Sequence, residues 1–269
     1  MSRGLLDDSE WGNIYQETPD LDNLGNMVLH LSPDFLSIPF SPESNVPIAA
    51  VCFQDAFNTF EEALYALREV FAHQIWYLEK KKPPNEMAAA FFGRFYADDA
   101  ALRLYSAGEH LANGIIMMLE ITDEDLNPYK KNRISQQSVV GHFLKEQKPH
   151  NPITKAVSKL VDSQEWLATM EHRNQWVHKQ PPTVKGLGIV YKRRRRWKAL
   201  PNGKRRILLG GGDTPDYTID NLLEFIKPAM FQFTDTITTV VKFYIEILEA
   251  SGSIRFNTQQ EVNPESKMP

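Results

Sequence analysis

Arginine, asparagine and histidine close together in a chain form a set of side chains suited to phosphate chemistry, and residues 173–178 supply them as Arg173-Asn174-Gln175-Trp176-Val177-His178. When RNA is cleaved without a metal, the ribose 2′-hydroxyl attacks the adjacent phosphorus. A base must then remove one proton, and an acid must protonate the departing 5′-oxygen. Histidine titrates near pH 6.5 and can serve in either role. The charge growing on the phosphorus oxygens calls for a permanently charged, forked donor, which is what an arginine at position 173 offers. Asn174 and His178 are four apart and share a helix face, so the amide can orient the imidazole or bind a phosphate oxygen. Arg173 and His178 are five apart, about 140° around a regular helix. Their convergence is expected to need an unwound helix end or a second subunit.

The spacing alone discriminates little. The chain also holds Arg68 with His73 and Arg103 with His110 at comparable distances, and only Arg173 is followed by asparagine. Arg173, His178 and Lys179 would also suit a purely structural role, since cations near a helix C-terminus oppose its macrodipole. Glu171, His172 and His178 do not have the H-E-x-x-H zinc spacing, and Gly210-Gly211-Gly212 lacks the Lys-Ser/Thr that follows in a phosphate loop. No metal and no cofactor is expected. Glu109-His110 reads as a polar pair at the edge of a helical core.

Long apolar stripes must position these residues. Phe53, Phe57, Phe60, Leu64, Leu67, Phe71, Ile75 and Leu78 predict a helix over about 54–80. A second helix is predicted from a cap at Asn85 to about residue 120, with Gly93, Ala97, Ala101, Ala107, Gly108 and Gly114 allowing close approach of another helix. A short helix over 136–147 follows a loop. A third long helix is predicted from Asn151-Pro152 until before Pro181-Pro182, carrying the Arg-Asn-His group near its end. The fourth runs over about 218–250, with Pro228 expected to kink or split it. The fold class is therefore all-α: a bundle of four long helices and a short one, forming a single helical domain over 51–250.

With that bundle in place, the Arg173-Asn174-x-x-x-His178 pattern resembles the motif of the HEPN superfamily (higher eukaryotes and prokaryotes nucleotide-binding). The resemblance covers the helical core, about 54–250, through a motif of six residues. It implies a HEPN-like helical bundle, a homodimer, metal-independent endoribonuclease activity with Arg173, Asn174 and His178 at the reactive site, and an inhibitory protein as a further partner. Some family members also carry an acidic residue on an earlier helix. An inserted basic hairpin is no part of the family pattern. The alternative is a helical nucleic-acid-binding or protein-interaction module without catalysis.

The insertion spans about 188–210, where two strands are predicted on either side of Pro201-Asn202-Gly203. Between residues 188 and 212 stand nine basic residues, Lys192, Arg193, Arg194, Arg195, Arg196, Lys198, Lys204, Arg205 and Arg206, and no acidic one. Removing them leaves 21 basic residues against 34 acidic ones, so the modest net charge of −4 hides a strong segregation. Alternation places Tyr191, Arg193, Arg195 and Trp197 on one face and Lys192, Arg194, Arg196 and Lys198 on the other. Such a concentration of cations fits RNA or another polyanion, with Tyr191 or Trp197 stacking a base. The same charges also suit a solvated hairpin that resists edge-to-edge association. An internal partner is available in residues 1–50, expected to be an extended acidic arm, whose Asp7, Asp8, Glu10, Glu17, Asp20, Asp22, Asp34 and Glu43 face only Arg3. Residues 251–269 read as a polar tail.

A hydrophobic fraction of 42% with 24% charged residues suits a soluble globular chain of 269 residues with a sizeable core. The single Cys52 cannot close an internal disulfide, which fits a reducing cytoplasm. The opening MSRGLLDDSE is acidic where a signal peptide is apolar. No apolar run approaches the roughly 20 residues of a membrane span, so no membrane partner is expected.

Overall fold

The computed structural model describes residues 4–31, 44–131, 135–179, 181–187, 196–208 and 214–251. They are mostly helical. In chain order the helices are α1 (Asp8–Gln16), α2 (Asp22–Leu29), α3 (Val46–Gln74), α4 (Glu86–Met118), α5 (Asp123–Lys130), α6 (Gln136–Gln147), α7 (Thr154–Asp162), α8 (Gln164–His178) and α9 (Ile219–Ala250). A π-helical turn, Ile75–Lys80, extends α3.

α3 and α4 form the backbone of the fold, packed along most of their lengths. The predicted stripe of α3 is buried from Phe53 to Leu67, while Phe71 and Ile75 are half-buried and Leu78 is exposed, and the small residues of α4 admit large neighbours. A Cβ on Gly114 would lie 2.3 Å from the Phe53 ring, and one on Gly108 would meet Trp166 of α8 at 3.1 Å. Asn85 caps α4 as its position predicts, its Oδ1 accepting the Ala88 amide at 3.0 Å. α9 crosses α3, α4, α7 and α8. Its Phe233 lies between Phe60, edge-on at 4.8 Å, and Trp166, stacked at 5.8 Å.

Three departures from the sequence pattern matter. The expected third long helix is two helices broken at Ser163. That residue's extended backbone ends α7, and its hydroxyl accepts the Trp166 amide as the cap of α8. The apolar spacing runs on across the break and conceals it, so the described bundle has three long helices rather than four. The second departure is at the N-terminus, where residues expected to be extended form α1 and α2. A capping box between Asp7 and Glu10 starts α1, and Leu6 and Ile14 pack with Ala72. Leu24, Val28 and Leu31 join the main core. Helices this short are marginal alone, and docking on α3 and α9 supplies what propensity does not. The third is α5, begun by a Thr122–Asp125 capping box in what reads as a loop. α9 also runs unbroken through Pro228.

After α8 the chain turns at Thr183, whose amide and hydroxyl both donate to the Asp216 carboxylate, while Val184 bridges Tyr217 in parallel. This clamp brings together residues 183–184 and 216–217, which flank the basic segment. Gly186 beside it has a φ of 94° and a Cβ there would lie 2.9 Å from that of Ala90, so only glycine fits. Within the basic segment β1 (Arg196–Ala199) and β2 (Arg205–Leu208) pair antiparallel, Trp197 opposite Ile207 and Lys198 opposite Arg206. Gly203 takes the positive φ of 75° in the turn between them. No helix among the described residues is long and apolar enough to cross a membrane.

Candidate functional site

Positions 91, 95, 98, 102, 105 and 109 of α4 recur at alternating intervals of four and three, which places them on one helix face. α8 crosses this face with His172 against Asp98 and Arg173 against Tyr105. The guanidinium carbon of Arg173 sits 3.8 Å from the centre of the Tyr105 ring, a cation–π contact with a buried tyrosine. Its Nη1 donates to Asn174 Oδ1 at 3.0 Å and lies 3.3 Å from His178 Nε2.

Arg173, Asn174 and His178 therefore meet within one chain, and α8 stays regular to its end: the Lys179 amide still donates to the Gln175 carbonyl at 3.1 Å. The expected unwinding is not needed. The 140° between the Cα positions is bridged by the length of the arginine side chain, which folds along the last turn. Asn174 orients the guanidinium rather than the imidazole. An arginine N–H pointed at Nε2 makes that nitrogen an acceptor, so in this arrangement His178 carries its proton on Nδ1. His178 is exposed and Asn174 buried, giving one open and one fixed partner on either side of the guanidinium. Arg173 Nε is buried without a hydrogen-bond partner.

Glu109 completes the surroundings. Its carboxylate accepts the Gln136 amide at 2.9 Å and so caps α6 from another helix, where Ser135 makes no side-chain cap. Burial pushes its pKa up, opposed by the Gln136 and Gln137 amides and by the positive charge of Arg173. The Tyr105 hydroxyl is also pushed up, by burial and then by the nearby Glu109 charge. Burial thus favours the protonated form of this acid, while the Arg173 charge nearby works against it. The sequence shows Glu109 and Tyr105 only as members of the α4 face. What links them to Arg173 is the crossing of α8, which no local pattern encodes.

The other two Arg–His spacings do not make such a group. Arg68 is turned to the N-terminal helices, bonding Thr18 and the Pro19 carbonyl, while His73 is stacked against Phe92 and Tyr96. Arg103 is held by Asp99 and Glu62. Among the described residues no group of three or more His, Cys, Asp or Glu side chains is placed to hold a metal.

Of the expected polyanion-binding residues, Tyr191, Lys192, Arg193, Arg194 and Arg195 lie outside the described residues. Arg196, Trp197 and Lys198 stand in β1, and Arg205 and Arg206 in β2. Lys204 and Arg205 are exposed. The acidic N-terminal residues engage other cations: Glu10 and Asp7 pair with Lys80, and Glu17 with Lys227. No protein-family model matches the chain, and neither a curated protein nor a solved structure matches it.

Proposed function

We propose that this protein acts on RNA as a HEPN-like, metal-independent endoribonuclease of the cytoplasm, working as a homodimer. The observation that carries the reading is the Arg173 guanidinium held on Tyr105 with its Nη1 between Asn174 and His178. In this scheme the guanidinium stabilises the negative charge on the phosphorus oxygens. As RNA binds, the guanidinium turns from His178 to the phosphate, and the Nε2 it frees takes the proton of the 2′-hydroxyl as the new P–O bond forms. The P–O5′ bond breaks, and a second group protonates the departing 5′-oxygen, leaving a 2′,3′-cyclic phosphate. One chain offers a single exposed histidine at this site, so the second proton-transfer group is assigned to His178 of a second copy. Phe91 and Phe95, 55% and 58% exposed on the face of α4 that leads to the site, offer that copy an apolar surface, together with Trp176 and Val177. The clamp joins Thr183 to Asp216, on either side of the basic segment, and in this reading Arg193–Arg196 and their neighbours grip the RNA backbone. An inhibitory protein partner would act by covering this site.

The test is purified protein on mixed RNA in the presence of EDTA. Cleavage should persist, leave a cyclic phosphate, and fail on DNA or on RNA blocked at the 2′-hydroxyl. Arg173→Lys should be poorly active, because an ammonium cannot reproduce a forked contact with two oxygens. The second reading, a module that binds RNA without cutting it, draws on the same Arg173 contacts, since an Nη1 already shared between Asn174 and His178 is also a satisfied structural group. Retained RNA binding with no cleavage would decide for it.

A further inference from the structure

His172, next to Arg173 in sequence, is 1% exposed. Its Nε2 lies 2.8 Å from Asp98 Oδ1, and the other oxygen of Asp98 accepts from Arg94 Nε at 3.2 Å. The ring is walled by Tyr217, edge-on at 5.6 Å, and Phe225 at 6.0 Å. Its Nδ1 is buried without a partner, so among the described residues the bond to Asp98 is the one polar tie the ring makes.

We propose that His172 is a positioning residue that fixes the rotation of α8 on α4 and thereby seats Arg173 on Tyr105. Asp98 and Tyr105 are seven residues apart on α4, two turns along the same face, while His172 and Arg173 are adjacent on α8. Apolar contacts hold two helices together but tolerate sliding and rotation by fractions of a turn. A charge-assisted hydrogen bond inside the protein does not, because moving it leaves the inner oxygen of a buried carboxylate without its partner. Arg94 completes the arrangement by satisfying the outer oxygen and holding the carboxylate plane toward His172. The contribution to function rests on Arg173 being the working group of the proposed RNA site. The structural part stands without it.

The Arg173 Nε–H provides the readout. It is buried and unpartnered, and the guanidinium it belongs to lies over an aromatic ring, so its proton resonance is shifted by the ring and reports the stacking. Arg173→Lys assigns the signal, and Tyr105→Leu gives its position when stacking is lost. His172→Phe keeps the contacts with Tyr217 and Phe225 and removes only the donor. It should move the signal toward the Tyr105→Leu position, with the far-ultraviolet spectrum unchanged. His172→Gln, whose amide can still reach Asp98, should restore most of the wild-type position. If His172→Phe does not fold, Asp98→Asn replaces it and should move the signal in the same direction by less. In the folded variant the cleavage kcat should fall roughly 10- to 100-fold, the scale of a misplaced transition-state contact, with KM little changed. A signal that stays at its wild-type position in the folded variant overturns the proposal. Absence of cleavage in the wild type would instead remove the RNA reading and leave the resonance test intact.

Discussion

Arg68–His73 and Arg173–His178 have the same spacing, and each arginine lies over a tyrosine ring, Tyr15 at 4.3 Å and Tyr105 at 3.8 Å. Their surroundings separate them. The first pair lies near the end of α3, where the π-helical turn continues the helix, His73 is enclosed by the start of α4 and Arg68 by the N-terminal helices. The second lies at the free end of α8, where the helix outruns the elements that cover it, so His178 stays in solvent and the arginine folds back to meet it. Identical spacing yields a structural pair in one place and a candidate reactive pair in the other, and what decides is how much of the molecule lies over the helix.

The largest expected effect breaks that symmetry directly. If the proposed chemistry holds, His178→Ala should lose roughly 100-fold to 10,000-fold in cleavage rate, the range for a positioned general acid or base. His73→Ala, assayed on protein shown to be folded, should stay close to wild type. Equal activity of wild type and His178→Ala would end the distinction.

A smaller effect, in stability, should run the other way. Arg68 makes hydrogen bonds to Thr18 and the Pro19 carbonyl as well as its ring contact, so Arg68→Ala should cost about 2 kcal/mol in denaturant unfolding. Arg173→Ala should cost clearly less, because its partners Asn174 and His178 lie on its own helix and it ties fewer elements together. The reverse order would show that Arg173 is chiefly structural.

The finest contrast is in pH. Burial lowers the pKa of His73 despite the opposing Glu69 carboxylate, so the folded protein keeps this imidazole neutral where the unfolded chain protonates it. Stability should therefore fall as pH drops below about 6.5 and go on falling toward the lowered folded value. His73→Phe should flatten this part of the curve. Glu109 acts oppositely. Its raised pKa means that the unfolded chain loses the proton first, so stability falls as pH rises from the ordinary carboxylate range toward the raised value. Unfolding curves measured every half unit from pH 4 to 8 separate the two.

Much of the fold is legible because helices are local. The α3 stripe, the Asn85 cap and the glycines of α4 are each visible within a few residues of sequence, and each does what its type and spacing predict. The break at Ser163 was hidden because apolar spacing does not register a single extended residue that caps the next helix. The helices α1 and α2 were hidden because their stability comes from surfaces far along the chain.

The sequence by itself determined that the chain is helical, that its cations are concentrated between residues 188 and 212, and that Arg173, Asn174 and His178 form a chemically plausible set. Only the tertiary structure decided which of three Arg–His spacings brings its side chains together, and that Tyr105 and Glu109 lie beside the chosen one, with Asp98 bonded to the neighbouring His172. The physical reason is range. Helix propensity, caps and periodicity act over one or two turns, whereas the bond between His172 and Asp98 joins residues 74 apart. It exists only once α8 has been laid across α4.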